Sequence, residues 1–197
     1  MSESLIKRRR RCQGFTLLEL LVVIAIIMIV FAISIMNIWP AVQNSRVDTA
    51  YQNALLEVRQ ARQLAIDQRR QHIITFIAPQ TIQTQRVEQN GNLTLIRTVV
   101  LPWDIQFDAE NGIPTAPAKV PDGFGNGGTA VSFNGGNQIF FNPDGSARDA
   151  NGAINNGVLY MARQGQVSTS RAVSLFGATG RIKGWRIFNN AGVWAWQ

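Results

Sequence analysis

Fourteen consecutive apolar residues, Leu20 to Ile33, lie inside a longer stretch without a charged side chain, from Glu19 to Arg46. At about 1.5 Å of rise per residue, a helix from Phe15 to Trp39 would be roughly 37 Å long, enough to cross a hydrocarbon core of about 30 Å. Ahead of it stand Lys7, Arg8, Arg9, Arg10 and Arg11, offset only by Glu3, so the tip carries +4. Clustered Lys and Arg stay on the cytoplasmic side of a membrane, which sends everything after Trp39 outward, in a bacterium into the periplasm. A secretory signal would be shorter and end in a small-x-small site, which the stretch around Ser34, Met36 and Trp39 matches poorly. A lipoprotein signal needs its cysteine after the apolar run, whereas Cys12 precedes it. A plain anchor gives no reason for Glu19. A carboxylate inside a membrane segment costs on the order of 2.5 kcal/mol, which marks it as a functional candidate.

One cysteine, Cys12, and one histidine, His72, exclude a disulfide scaffold and a zinc finger. Asp144, Ser146, Asp149 and Asn151 could direct oxygens at a cation, but the twelfth position of an EF-hand loop holds Asn155 in place of an acid. Gly123 to Gly128 matches G-x-G-x-x-G without a preceding strand or a following helix, which removes the dinucleotide reading. His72 has no nucleophile elbow or spaced acid to work with. The expectation is a chain with no catalytic residues, no metal and no cofactor.

The run Arg11-Cys12-Gln13-Gly14-Phe15-Thr16-Leu17-Leu18-Glu19, continuing into the apolar helix, resembles the class III signal of type IV pilins and type II secretion pseudopilins. The resemblance implies that a prepilin peptidase cuts between Gly14 and Phe15 and methylates the Phe15 amine, removing Cys12. The residues suit that chemistry. Gly14 lets an extended backbone enter a narrow protease cleft. Glu19 lies one turn inside the new cationic amine. In a bundle of such helices it can meet the Phe15 amine of a neighbouring subunit, a pair in place of a lone charge in low dielectric. The alternative is that Glu19 only snorkels to the headgroups.

Pro40 should kink or weaken the helix. Beyond it Val47, Tyr51, Ala54, Leu55, Val58, Ala61, Leu64 and Ala65 recur at helical spacing, an apolar stripe running to about Arg70 and facing a core. From His72 the pattern turns to short β-rich runs, at 72–77, 81–88, 93–101, 105–107, 130–133, 138–141, 158–162, 172–176, 185–188 and 193–196. Asn90-Gly91 reads as a hairpin and Asn142-Pro143-Asp144-Gly145 as a turn. Glu110 to Gly128, rich in proline and glycine, reads as an exposed loop. The expected organisation is a leader at 1–14, a membrane and filament-core helix at 15–39, its amphipathic continuation at 40–71 and a periplasmic head at 72–197. The fold class is α+β and pilin-like: a long N-terminal helix packed on an antiparallel β-rich head.

In that head, Gln138 to Ser146, Gly157 to Tyr160, Ala172 to Leu175 and Thr179 to Ile182 are similar to the H-type minor pseudopilins, GspH/FimT. One departure is the proline, which comes at Pro40, four residues beyond the usual pilin position, here Met36. The charges divide unevenly: residues 150–197 hold five basic side chains and no acid, whereas 101–149 hold two against six. Arg181, Lys183 and Arg186 surround Trp185, a combination able to neutralise phosphates and stack on bases. Gly180-Arg181-Ile182-Lys183 also resembles the basic motif of DNA-binding minor pilins. The competing reading has the tryptophans filling the core and the cations lining a solvated edge strand. The family resemblance implies a minor pseudopilin of type II secretion, with prepilin peptidase, other pilins, the inner membrane and secreted cargo as partners. It equally admits a type IV minor pilin that takes up DNA, and a plain membrane-anchored binding domain is the third reading.

Overall fold

The computed structural model describes residues 15–116, 119–125 and 128–197, with backbone only at 36, 37, 39 and 40. The chain divides into two compact units, one ending at Val42 and the other comprising Gln43–Gln197. Helix α1, Leu17–Gln68, contributes to both. Helical backbone continues through position 40, where the sequence predicts a kinked or weakened helix. A single proline removes one backbone donor while its own φ stays helical, and neighbouring turns carry the helix across it. At the far end Arg69 takes a left-handed φ of 51°. The Arg70 N–H returns to the Ala65 carbonyl at 3.2 Å, closing the last turn.

Within the first unit, Leu17–Ile35 has a mean hydropathy of 3.1 and none of it is buried. It has the length and composition of a membrane span, and its apolar surface is unsatisfied in water.

The second unit contains ten strands among its described residues: β1 His72–Ile77, β2 Thr81–Val87, β3 Leu93–Val100, β4 Val131–Phe133, β5 Gln138–Phe141, β6 Ala147–Arg148, β7 Gly157–Met161, β8 Arg171–Phe176, β9 Arg181–Asn190 and β10 Val193–Trp196. They form two five-stranded sheets, ordered β3-β2-β1-β5-β6 and β10-β9-β8-β7-β4. The pairings are antiparallel. The hairpin at Asn90-Gly91 and the turn at Asn142–Gly145 occur where the sequence places them, the latter closed by the Gly145 N–H donating to the Asn142 carbonyl at 2.9 Å. The run at 105–107 makes a single bridge, Gln106 to Ala162, in place of a strand. Strand β9 starts at Arg181, ahead of the expected 185, because β8 pairs with Arg181–Arg186 along its whole length.

The apolar stripe of α1 enters one core with both sheets. Val47, Ala50, Tyr51, Ala54, Leu55, Val58, Ala61 and Ala65 join Ile74, Phe76 and Ile82 of the first sheet and Leu159, Met161, Val173 and Leu175 of the second. The architecture is therefore the expected α+β arrangement of a long helix packed on an antiparallel head. A second, smaller core is built from Ile113, Val158, Tyr160, Ala172 and Ile187, with Phe124, Trp185, Trp194 and Trp196 packed against it. It corrects the exposed loop expected at Glu110–Gly128. Ile113, Val120 and Pro121 are buried and Glu110 accepts the Gly165 N–H at 2.6 Å, because the apolar residues of this segment cover the second sheet. Pro117, Ala118, Asn126 and Gly127 lie outside the described residues.

His72 is fully buried. Its Nδ1 lies 3.1 Å from the Arg70 carbonyl, which calls for the Nδ1–H tautomer, and Nε2 is buried without a partner among the described residues. Burial lowers its pKa below the ordinary value of 6.5, and the Arg70 contact offsets this only in part. The unfolded chain therefore binds the proton more readily. The stabilisation is complete above the unfolded pKa and is lost as pH falls through about 6.5 toward the lower folded value. Thermal unfolding of the detergent-solubilised chain should show Tm falling on acidification across this window, and His72→Gln should flatten that part of the profile.

Candidate processing and assembly site and the basic strand

The N-terminus of α1 is built by a capping arrangement. Thr16 Oγ1 accepts the backbone N–H of Glu19 at 3.2 Å, and the Thr16 carbonyl accepts that of Leu20 at 3.1 Å. Thr16-Leu17-Leu18-Glu19 is thus a Thr-x-x-Glu helix start, a signal that hydropathy and charge clustering pass over. It places Glu19 in the first turn, where unpaired helix N–H groups favour an anion. Phe15 is exposed at 77%, one residue before the cap. Gly14 lies outside the described residues, as do Cys12 and the basic tip.

The basic residues of the C-terminal segment fall into two sets. Side chains alternate along β9, so Arg181, Lys183 and Trp185 share one face while Ile182, Gly184 and Arg186 share the other. On the first face, Arg181 pairs with Asp122 at 3.2 Å, and Lys183 Nζ sits 3.6 Å from the Trp185 ring centroid. The Trp185 indole N–H donates to Ser174 Oγ at 2.9 Å, and the Ser174 hydroxyl in turn donates to Asp122. One network therefore orients both Trp185 and Arg181. Beside it a cleft of ≈ 470 Å³ is lined by Lys119, Asp122, Trp185, Trp194 and Trp196, among others.

Arg186 turns to α1, 3.6 Å from Asp48 and 5.7 Å from the Tyr51 ring centroid. Asp48 also holds the buried Arg171 at 3.0 Å. The structure thus brings Arg181 and Lys183 together and leaves Arg186 elsewhere. Nor is β9 an edge, since it lies between β8 and β10. The three tryptophans are half-buried against the smaller core.

Two arginines of α1, which sequence spacing alone does not connect to the basic segment, stand near Arg181. Arg59, Arg62 and Arg181, with Gln63, Thr179, Gly180 and Ile182, line a hollow of ≈ 420 Å³. Arg62 Nε donates to the Gly145 carbonyl at 3.0 Å and Nη2 to the Thr179 carbonyl at 3.1 Å, tying two turns of the head to the helix. Gly180 is part of the same contact. Its φ is +65°, and a Cβ there would collide with the Gly145 carbonyl oxygen. Asp144 and Asp149 are taken up by their own turns: Asp144 accepts the Ser146 N–H at 2.8 Å, and Asp149 accepts those of Asn151 at 2.9 Å and Ala153 at 2.8 Å.

Residues 9–35 match the family described as the prokaryotic N-terminal methylation motif. The chain carries a prepilin signal. The motif implies processing by a prepilin peptidase and assembly with other pilins, and together with the apolar helix it is consistent with membrane anchoring. No curated protein sequence matches the chain. Among solved structures, the chain is similar to the minor pseudopilin EpsH of the type 2 secretion system of Vibrio cholerae, at 10% identity and a TM-score of 0.49, covering 72% of this chain and 97% of that one. It is also similar to the type IV minor pilin FimU of Pseudomonas aeruginosa, at 14% identity and a TM-score of 0.47, covering 71% of this chain and 87% of the other.

At Gly180 an added methyl would meet both a left-handed φ and a backbone carbonyl. Gly180→Ala should therefore destabilise the detergent-solubilised chain by more than about 1 kcal/mol in denaturant unfolding. Unchanged stability would mean that the turn at Gly180 is not held against Gly145.

Proposed function

We propose that this chain is a minor pseudopilin of the GspH/FimT type: a structural subunit, not an enzyme, of a type II secretion pseudopilus. The observation that carries the reading is the methylation motif at residues 9–35, set on a capped apolar helix whose Leu17–Ile35 surface is wholly unburied. Such a surface needs lipid before assembly and neighbouring helices after it. In this reading the peptidase cuts between Gly14 and Phe15 on the cytoplasmic side and methylates the Phe15 amine, and the head, from Gln43 onward, faces the periplasm. Glu19 then has two uses: its position in the first turn supports the helix start, and in the filament its carboxylate meets the Phe15 amine of a neighbour. Secreted protein is the cargo that such a filament would move.

Glu19→Ala tests the second use. It should leave the chain cleaved and membrane-bound while its incorporation into sheared filaments falls about tenfold or more, a loss equivalent to one charge-assisted contact. Normal incorporation would end the pairing role. Mass spectrometry of the mature N-terminus tests the processing step directly: a methylated Phe15 is the expected result, and an uncut leader in purified membranes would favour a plain anchored domain.

A second reading, DNA capture by a type IV minor pilin, is favoured by the hollow where Arg59, Arg62 and Arg181 meet, next to Lys183 on the same strand as Arg181. It predicts salt-sensitive binding of a DNA duplex that weakens in Arg181→Gln/Lys183→Gln and is unaffected by Arg186→Gln, since Arg186 serves Asp48. Binding unchanged by the double substitution would remove that site.

A further inference from the structure

Among the described residues the head has four sheet edges, and three of them are short: β6 has 2 residues, β4 has 3 and β10 has 4. Brevity is one of the ways in which proteins keep edge strands from pairing with other chains. The fourth edge, β3, has 8 residues and is exposed at every position except Val99. Leu93 is 52% exposed, Leu95 54% and Val100 59%, and Trp103 just beyond is 79% exposed. The strand has no lysine, acid or proline to guard it. Its one charge, Arg97, is drawn toward α1, where Nη1 donates to Gln60 at 2.7 Å and to Glu57 at 3.3 Å.

The pairing pattern shows which main-chain groups are free. The Glu88 N–H donates to the Asn92 carbonyl and the Leu101 N–H to the Gln80 carbonyl, which sets the phase of the β2–β3 ladder at each end. By the antiparallel alternation, Leu93, Leu95, Thr98 and Val100 then turn N–H and C=O away from β2. Their side chains share a sheet face with Gln83 and Gln85, opposite to that of the buried Ile82 and Thr84. The free edge therefore combines unpaired backbone groups with apolar side chains, and an extended strand satisfies both at once.

We propose that β3 is a docking edge for an extended, uncharged strand from another pilin-like subunit, which adds to the first sheet. The inference rests on the reading above that the chain assembles with such subunits. A different chain fits better than a second copy. The register shift between Thr84 and Gln85 makes Ile96 the extra residue of a bulge near the middle of the strand. Two-fold self-pairing would lay bulge on bulge and break the ladder at its centre. A different subunit can instead pair with the regular stretch Arg97–Val100 beside Trp103.

The test uses the full chain in cells that make the whole secretion or pilus system. Thr98→Pro removes one outward N–H, a change that an edge strand tolerates when the lost donor faces solvent. Leu95→Lys/Val100→Lys puts charge on the edge at exposed positions. Each variant should keep cleavage after Gly14, membrane retention and Tm, while its share in sheared filaments falls about tenfold, as expected for the loss of one or two net hydrogen bonds with their apolar contacts. A benzophenone photo-cross-linker at Val100 should join the chain to a strand of another N-methylated subunit. Wild-type incorporation of both folded variants would overturn the docking edge, as would cross-links only to a second copy. Failure of the wild-type chain itself to be cut or to enter filaments would overturn the assembly reading instead, so the two failures are distinguishable.

Discussion

The head depends on the close seating of one helical face against two sheets. Half of that face is alanine: Ala50, Ala54, Ala61 and Ala65 are completely buried, and Val47, Tyr51, Leu55 and Val58 are buried with them. Small side chains let strands approach the helix axis closely, and the larger residues fill the space on either side. Gly184 of β9 shows how near the approach is, since a Cβ there would collide with the Tyr51 hydroxyl. Polar links then set the helix in place. Asp48 reaches Arg171 and Arg186 of the second sheet, Glu57 accepts the Thr84 hydroxyl of the first at 2.6 Å, and Arg62 holds the turns at Gly145 and Thr179. Glu57 is only 4% exposed, so its bonds to Thr84 and Arg97 offset a desolvation cost that would otherwise oppose folding.

This arrangement accounts for the fate of the basic C-terminal segment. A run of cations and tryptophans in sequence suggests a single surface, but a strand sends successive side chains to opposite faces. Arg186 is consequently committed to the helix, whereas Arg181 and Lys183 face the other way with Trp185. The tryptophans cap a core whose centre includes Tyr160, a phenol without a hydrogen-bond partner among the described residues, whose pKa burial pushes up to about 12. Gly180, which reads as part of a DNA-binding motif, is needed where it stands by the geometry of its own turn.

Much of the fold is legible in the sequence because its signals are local. The strands at 72–77, 138–141 and 193–196 coincide with short runs rich in β-branched and aromatic residues, and the helix follows from its stripe. Expectation and structure part where distant residues decide the outcome. The segment after Glu110 reads as a solvent loop by its prolines and glycines, yet Ile113 and Val120 make it the cover of a sheet formed much later in the chain. Strand β9 extends back to Arg181 because β8 is there to pair with it, although Arg181–Gly184 has little strand character by itself. The Thr16 cap, by contrast, is a local signal, written in the sequence as Thr-x-x-Glu and easily lost beside the stronger hydropathy of the run that follows.

By itself the sequence determined an apolar helix with the length of a membrane span, the methylation motif that leads into it and the α+β class, because hydrophobic length, charge clustering and periodicity act over a few neighbouring residues. Only the tertiary structure decided which cations share a face, which loop covers the smaller core and which sheet edge is left long, apolar and open. Those properties depend on pairing and burial between residues far apart in the chain, and no local pattern encodes them.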